Sequence, residues 1–539
     1  MVELLTCLTS LVLVAPPAQE PDTLQERVQA YVGALAEADL FSGSVLLARG
    51  GEVVASGAWG QAHVADGVPN TLETRHKLMS TSKPFTALTV MALVERGELA
   101  LDDPLAELLV DWPERWVGVN LRHLLSHTSG IPNLESLLFS KPRAPGRQVA
   151  WGVLAPDLVG RTLRFTPGME QRYGNFNYVL LGCVLEEVTG RPYPELVRDL
   201  VLEPAGMQHT GFDDGGRPQG LAMGYFLGEE GPEESAQDMS GIQAAGGLYS
   251  SVLDLHRLHR ALSDGDLLAE ETWRLMTDRV TEWMACGWSI TPVHGRRCFH
   301  HSGGANGYVA DFLHFPDDDA CVVVLSNYAF TPVERVARDL AAILFGEPYR
   351  MPATVDGDAL DACTGVYRAP GEEEHAMLVR RYGGTLMAFD VQPVQYPRGF
   401  LLVPLGPREY AFPFGGTHLT FEGEEPVPER LRYGALPMDR VAVGADPWGQ
   451  AVGSYAVEGE RPGSFELNRE GDRLTMSVQG GWSGEMLVLP VSGTTALALI
   501  HPGLATLLRI DPSEPPRDDG ARLTWRRPGG DDLFARRRD

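Results

Sequence analysis

The order of patterns along the chain restricts its fold more than any single motif does. Residues 43–60, GSVLLARGGEVVASGAWG, alternate apolar with small or polar residues around Gly50-Gly51, which predicts a hairpin. Helical spacing follows. One helix is predicted over 84–96 through Phe85, Leu88, Met91 and Leu93, stopped by Gly97. A second covers 176–189 with Gly190 as its C-cap, and a third, 252–263, is amphipathic through Leu253, Leu255, Leu258 and Leu262. From 283 to 327 the pattern returns to strands, with turns at Pro292 to Gly295, Gly303 to Gly307 and Pro316 to Asp319. The run CVVVLSN from Cys321 has the β-branched content of a buried strand. A last helix, Pro332 to Phe345, closes the series. Strands, then helices, then strands again predict one α+β domain over 21–350.

After Pro352 the long helical patterns vanish, and short strand patterns alternate with Gly, Pro and acidic turns to the end. The tail also repeats weakly. TGVYRAPGEEEHAMLVRRYGGTLMAF begins at Thr364 and VGSYAVEGERPGSFELNREGDRLTMSV at Val452. Each has Gly-x-Tyr, a charged turn, an apolar strand, a Gly-bearing hairpin and a Leu-Met strand, and each module ends on a basic strand. Two small antiparallel β-barrels are predicted, 351–445 and 446–539, joined near Gly444 to Gly449. The length of 539 residues accommodates such a division.

Charge narrows the partners. A formal net charge of −27 repels phosphate backbones, so nucleic acid is not an expected partner. Of 45 basic residues only three are lysines, Lys77, Lys83 and Lys141. Where a generic cation suffices the chain uses Arg, so a lysine that persists draws attention to what guanidinium cannot do, which is to give up a proton near neutral pH. The apolar run Leu4 to Val14 is followed by small residues and prolines, so residues 1–20 resemble a secretory signal peptide. That predicts a secreted or periplasmic protein and otherwise a cytoplasmic one; Glu3 and the missing n-region cation are atypical. No other segment is long and apolar enough to span a membrane. The six cysteines, Cys7, Cys183, Cys286, Cys298, Cys321 and Cys363, have no zinc-like spacing and read as small buried hydrophobes; a Cys286–Cys298 bridge across a hairpin near His294-Gly295 is the alternative. Nothing in the sequence calls for a metal or an organic cofactor.

Three short motifs carry chemistry. Ser80-Thr81-Ser82-Lys83 stands where the 84–96 helix begins, and an i, i+3 spacing puts Ser80 and Lys83 on one face. A lysine buried at the positive end of a helix can be neutral enough to take the serine proton. Alone, this pattern is as well read as a capping serine and a solvated lysine. Tyr173-Gly174-Asn175 precedes the second helix. A tyrosinate can act as a base where nearby cations lower its pKa, and an amide can orient the lysine and a substrate carbonyl. His300-His301-Ser302-Gly303-Gly304 precedes a strand; its glycines let a substrate approach the backbone, and His301 could polarise Tyr173 or bind a substrate carboxylate.

In this order and spacing, STSK, YGN and HSG resemble the signature of the serine β-lactamase and penicillin-binding-protein superfamily, in its class C, D,D-peptidase, esterase and D-aminopeptidase branch. Further stretches share the likeness: GELALDDPL, LRHLLSHTSGIPNL, FTPGMEQRYGNFNYVLLG, EPAGMQHTGF, AAGGLYSS and HSGGANGY. The resemblance covers roughly 25–345. It implies a β-lactamase/transpeptidase-like catalytic domain, with an antiparallel sheet flanked by helices and a helical subdomain. It also implies roles: Ser80 as acylated nucleophile, Lys83 assisting its deprotonation, and Tyr173 passing the proton to the leaving group and later activating water. Asn175 would orient substrate, and the backbone N–H groups of Ser80 and Gly304, beside Gly303, would form the oxyanion hole. His301 stands where β-lactamases usually have Lys, which favours peptidases, aminopeptidases and esterases of the branch. The three-part layout looks like that of D-aminopeptidases, an analogy of architecture.

The expected activity is therefore serine-dependent hydrolysis of a small peptide, amide or ester through an acyl-enzyme, D-aminopeptidase or D,D-peptidase-like. A carboxylesterase or a β-lactamase on the same scaffold is the alternative, and a non-catalytic β-lactam or peptide sensor is a rival of another class. Oligomeric state is not readable.

Overall fold

The computed structural model describes residues 23–441 apart from 144–146, 213–217, 229–230, 236–239, 306, 371–374, 392–398, 414–416 and 424–426; beyond 441 it describes the backbone of eight strands between Gly453 and Arg537. The leader-like residues 1–20, Cys7 and the junction near Gly444 to Gly449 lie outside the described residues.

The first helix, α1 (Leu24–Glu37), starts on a capping box in which Thr23 and Glu26 satisfy each other's backbone N–H groups. The predicted hairpin follows as β1 (Gly43–Arg49) and β2 (Glu52–Trp59). Then come α2 (Lys83–Glu95), α3 (Asn175–Thr189) and α4 (Val252–Asp264), close to the expected spans. Gly190 and Gly265 end α3 and α4 in the left-handed conformation. The return to strands gives β3 (Ser289–Ile290), β4 (Phe299–Ala305), β5 (Tyr308–Phe315) and β6 (Ala320–Ser326), and α5 (Val333–Phe345) closes the unit.

These six strands form one sheet in the order β3-β4-β5-β6-β1-β2, so the first hairpin docks onto the last strands. Pairing of β1 with β6 is antiparallel and sets Val45 opposite Val324. Because successive side chains alternate faces, CVVVLSN feeds two cores. Cys321, Val323 and Leu325 join Leu46 and Ala48 in the core shared with α2 and α3. Val322 and Val324 join Val45 and Leu47 against α1 and α5. Each such fully buried Val or Leu contributes about 1.5–3 kcal/mol.

That division also separates Cys286 from Cys298. Cys286 belongs to the core on the helical side and Cys298 to the core on the α1–α5 side. The two thiols point to opposite faces, and the five described cysteines are free and buried, so no Cys286–Cys298 bridge forms.

Among its described residues the tail carries one short helix, Gly357–Cys363, which the sequence pattern did not show. A nine-stranded antiparallel sheet follows, and its two edges, Gly399–Leu401 and Val403–Gly406, are neighbours in the chain, so it is a nearly closed barrel. The next eight strands, Gly453–Val457 to Asp532–Arg537, close fully. The weak repeat has a structural counterpart. In each module the Gly-x-Tyr strand pairs with the basic last strand: Tyr367 stands opposite Arg440, and Tyr455 opposite Arg537. Val366, Leu378 and Phe389 of the first barrel complete the core against α1 and α5. Among the described residues no helix is long and apolar enough to cross a membrane.

Candidate active site

Ser80 lies on a 3-10 turn, Met79–Ser82, that runs directly into α2. The turn is pinned on two sides. Leu78 N–H donates to the Leu248 carbonyl at 2.8 Å, and Thr81 Oγ1 donates to the His301 carbonyl of β4 at 3.0 Å. Buried Met79 is held at φ +50°, a conformation L residues seldom adopt, so packing imposes the bend that presents Ser80. The Ser80 side chain is only partly covered.

Lys83 is the first residue of α2 and is fully buried. Its Nζ lies 2.9 Å from Ser80 Oγ, 2.7 Å from Asn175 Oδ1 and 2.7 Å from the Ala245 carbonyl. Burial holds its pKa well below the usual lysine value, and the Glu135 carboxylate opposes that shift without cancelling it. The partners dictate how a neutral amine must sit. Carbonyl oxygens only accept, so Asn175 and Ala245 take its two N–H bonds. The lone pair is then left facing Ser80 Oγ.

Tyr173 Oη donates to Ser80 Oγ at 2.8 Å from the other side. The residue is 49% exposed although its hydroxyl meets the serine. Desolvation raises its pKa above the ordinary tyrosine value, and the hydrogen bond to Ser80 pulls the other way. The expectation of a phenol acidified by nearby cations is therefore reversed. At neutral pH Tyr173 is a proton donor.

His301 is brought beside this group, but its ring stands apart from that of Tyr173. Its Nδ1 bonds the Ser302 carbonyl at 2.6 Å, and its ring centre stands 6.3 Å from that of Tyr173. Burial and the neighbouring Lys83 push its pKa down to about 3, so it is neutral and offers no cation to a substrate carboxylate. Gly303 backs directly onto the Ser80 turn: a Cβ there would run into the Leu78 carbonyl and approach the Ser80 amide nitrogen to 2.8 Å. Gly304 is exposed. Strand β3 pairs with β4 only at Phe299 and His300, so beyond His300 the edge of β4 away from β5 is open toward Ser80.

Sequence reasoning missed three participants. Glu135, first residue of the short helix Glu135–Ser140, accepts from Asn175 Nδ2 at 2.6 Å and from Asn133 Nδ2 at 3.0 Å. It follows directly on the stretch LRHLLSHTSGIPNL, which could have pointed to it. His127, buried at φ +57°, lies under Tyr173 with ring centres 4.5 Å apart. Its Nδ1 faces Gly174 N–H and Asn177 Nδ2, so the proton sits on Nε2, and burial keeps it neutral. Ala245 contributes only a main-chain oxygen, which no side-chain motif reveals. Among the described residues no cluster of three or more His, Cys, Asp or Glu stands together as a metal site.

A family model described as Beta-lactamase matches residues 24–347. Penicillin-binding protein 4* of Bacillus subtilis is 29% identical over 357 residues, which span 61% of this chain and 78% of that protein. Among solved structures, an octameric penicillin-binding protein homologue from Pyrococcus abyssi is similar with a TM-score of 0.56 at 23% identity, covering 84% of this chain and 97% of its own. The D-amino acid amidase from Ochrobactrum anthropi SV3 is similar with a TM-score of 0.52 at 22% identity, covering 60% of this chain and 99% of its own.

Proposed function

This chain belongs to the Beta-lactamase family, and we propose that it is a serine hydrolase that cleaves small amides, peptides or esters through an acyl-enzyme on Ser80. One observation carries the reading: Ser80 Oγ lies between a buried Lys83 amine at 2.9 Å and the Tyr173 hydroxyl at 2.8 Å. A base and an acid flank one nucleophile.

The proton balance closes. Neutral Lys83 takes the Ser80 proton as Oγ attacks the substrate carbonyl. The N–H groups of Ser80 and Gly304 hold the oxyanion. Tyr173 gives its proton to the leaving group, and its phenolate is stabilised by the new Lys83 ammonium, which stands 4.9 Å from the ring centre. In deacylation the phenolate takes a proton from the attacking water, and Lys83 returns its own to Oγ.

Within this class the neutral His301 favours peptides, amides and esters held without a carboxylate grip over β-lactams. The D-amino acid amidase among the similar folds agrees with a D-aminopeptidase or D,D-peptidase-like activity. The leader-like residues 1–20 favour an exported enzyme.

The test is a substrate panel with wild type and Ser80→Ala: D- and L-amino-acid p-nitroanilides, p-nitrophenyl acetate, a D-Ala-D-Ala peptide and a chromogenic cephalosporin, beside labelling by a fluorophosphonate. Turnover and label should vanish together in Ser80→Ala. Label retained by that variant rejects Ser80 as nucleophile. A wild type that labels but turns over nothing is a sensor, and one fastest on the cephalosporin is a β-lactamase.

A further inference from the structure

The lone pair of Lys83 faces Ser80 only while Asn175 presents its oxygen, and not its nitrogen, to the amine. An amide has both, on similar stems, and a half-turn about its terminal bond exchanges them. Were Asn175 turned, its NH2 would offer a donor to Lys83. The amine would then spend its lone pair on Asn175 and aim an N–H at Ser80, where it could take no proton. Something must select the orientation.

We propose that Glu135 is a positioning residue that fixes the Asn175 amide, and through it the direction of the Lys83 lone pair. This rests on the reading of Ser80 and Lys83 as the acylating pair. Glu135 Oε1 accepts from Asn175 Nδ2 at 2.6 Å, while Asn175 Oδ1 accepts from Lys83 at 2.7 Å. An ionised carboxylate has no donor, so it can face only the NH2. Turning the amide would set two acceptors, Asn175 Oδ1 and Glu135 Oε1, against each other, while the amine would lose its lone pair to Asn175 Nδ2. Glu135 is itself steadied, since Oε1 also accepts from Asn133 Nδ2 at 3.0 Å. From Ser80 outward the contacts therefore run in one sense, donor to acceptor, from Ser80 to Lys83, from Lys83 to Asn175 and from Asn175 to Glu135, where Asn133 also donates.

The same carboxylate is the charged group that opposes the loss of Lys83 basicity. The other titratable groups facing Lys83 are Tyr173 and Tyr178, whose rings lie 4.9 and 5.6 Å from Nζ, with His127 and His301, both kept neutral by burial. Orientation and charge can be separated. Glu135→Gln removes the charge but leaves an amide oxygen to accept from Asn175; Glu135→Ala removes both.

With p-nitrophenyl acetate, or whichever panel substrate the wild type turns over, Glu135→Ala is expected to lose on the order of 10- to 100-fold in kcat with KM changed much less. Glu135→Gln should recover most of that loss and move the acid limb of the pH profile to lower pH. The proposal is overturned if Glu135→Ala keeps the wild-type kcat, if Glu135→Gln is as slow as Ala while both melt like wild type, or if neither moves the acid limb. Lowered melting temperature in Glu135→Ala, with kcat per labelled site unchanged, also overturns it, because the role would then be structural. Persistent labelling of Ser80→Ala instead defeats the underlying reading of the nucleophile.

Discussion

The main-chain oxygen of Ala245 lies 2.7 Å from Lys83 Nζ, and no change of protonation can turn that acceptor into a donor. With Asn175 Oδ1 it claims both N–H bonds of the neutral amine, so the base is aimed by the backbone as well as by a side chain. Lys83→Arg keeps a cation but cannot supply a lone pair near neutral pH. The expected loss in kcat/KM is about 10²- to 10⁴-fold, the usual worth of a positioned general base. Steady-state rates on the best panel substrate decide it, and a variant within a few-fold of wild type would remove proton transfer from the role of Lys83.

The two flanking groups also set the pH profile. The proposed mechanism requires neutral Lys83, whose pKa burial lowers, and protonated Tyr173, whose pKa burial raises. The rate should climb with pH through the depressed lysine value, level off, and fall only above about pH 10, the ordinary tyrosine range. Tyr173→Phe should lower kcat and abolish the alkaline fall. An alkaline limb that survives in Tyr173→Phe would assign it to another group.

The sequence made the site legible where chemistry is local. Ser80 and Lys83 are three residues apart and Tyr173 and Asn175 two, so spacing alone brings each pair together. The lysine scarcity pointed the same way: Lys141 pairs with Asp157 and Lys77 lies 5.8 Å from the Tyr308 ring, while Lys83 alone reaches the serine. What depends on burial was not legible. The direction of the Tyr173 shift follows from desolvation, which no motif encodes, and the same holds for neutral His301. Ala245 is found only by folding the chain. In the tail, the Gly-x-Tyr repeats marked the first strand of each barrel, but the ninth strand of the first sheet has no counterpart in the repeat.

Gly303 and Gly304 are adjacent, yet a methyl group should act differently at each. At Gly303 it meets the Leu78 carbonyl and the Ser80 and Thr81 amides, all backbone that the turn cannot move without losing the bend at Met79. At Gly304 it meets only the Val309 side chain, at 3.2 Å. Gly303→Ala should cost about 1–3 kcal/mol, the usual penalty for overpacking, and should displace Ser80, with labelling slowed in proportion. Gly304→Ala should melt near wild type. Equal melting temperatures for the two variants would contradict the contact between β4 and the nucleophile turn.

Far from the active site, His259 and His314 face each other with Nδ1 atoms 2.9 Å apart, both fully enclosed between α4 and the sheet. Two neutral rings share one proton across that gap; a second proton would set two cations against each other. Burial pushes His259 down to about 4 and His314 to about 3, with His259 itself adding to the second shift. Unfolded, both would titrate at about 6.5. Above that pH neither state takes a proton and the pair carries no penalty. Between about 6.5 and 4 the unfolded chain binds protons that the folded one excludes, so stability falls as pH falls, by about 1.4 kcal/mol per pH unit for each histidine. His314→Gln keeps a polar partner for His259 and removes one titrating ring. Its unfolding free energy, measured by urea titration from pH 6 to 4.5, should therefore decline less steeply than that of wild type by about that one-histidine slope. Parallel lines for the two proteins would mean that acid unfolds the domain elsewhere, through His76, His300 or His301, whose pKa values burial also lowers.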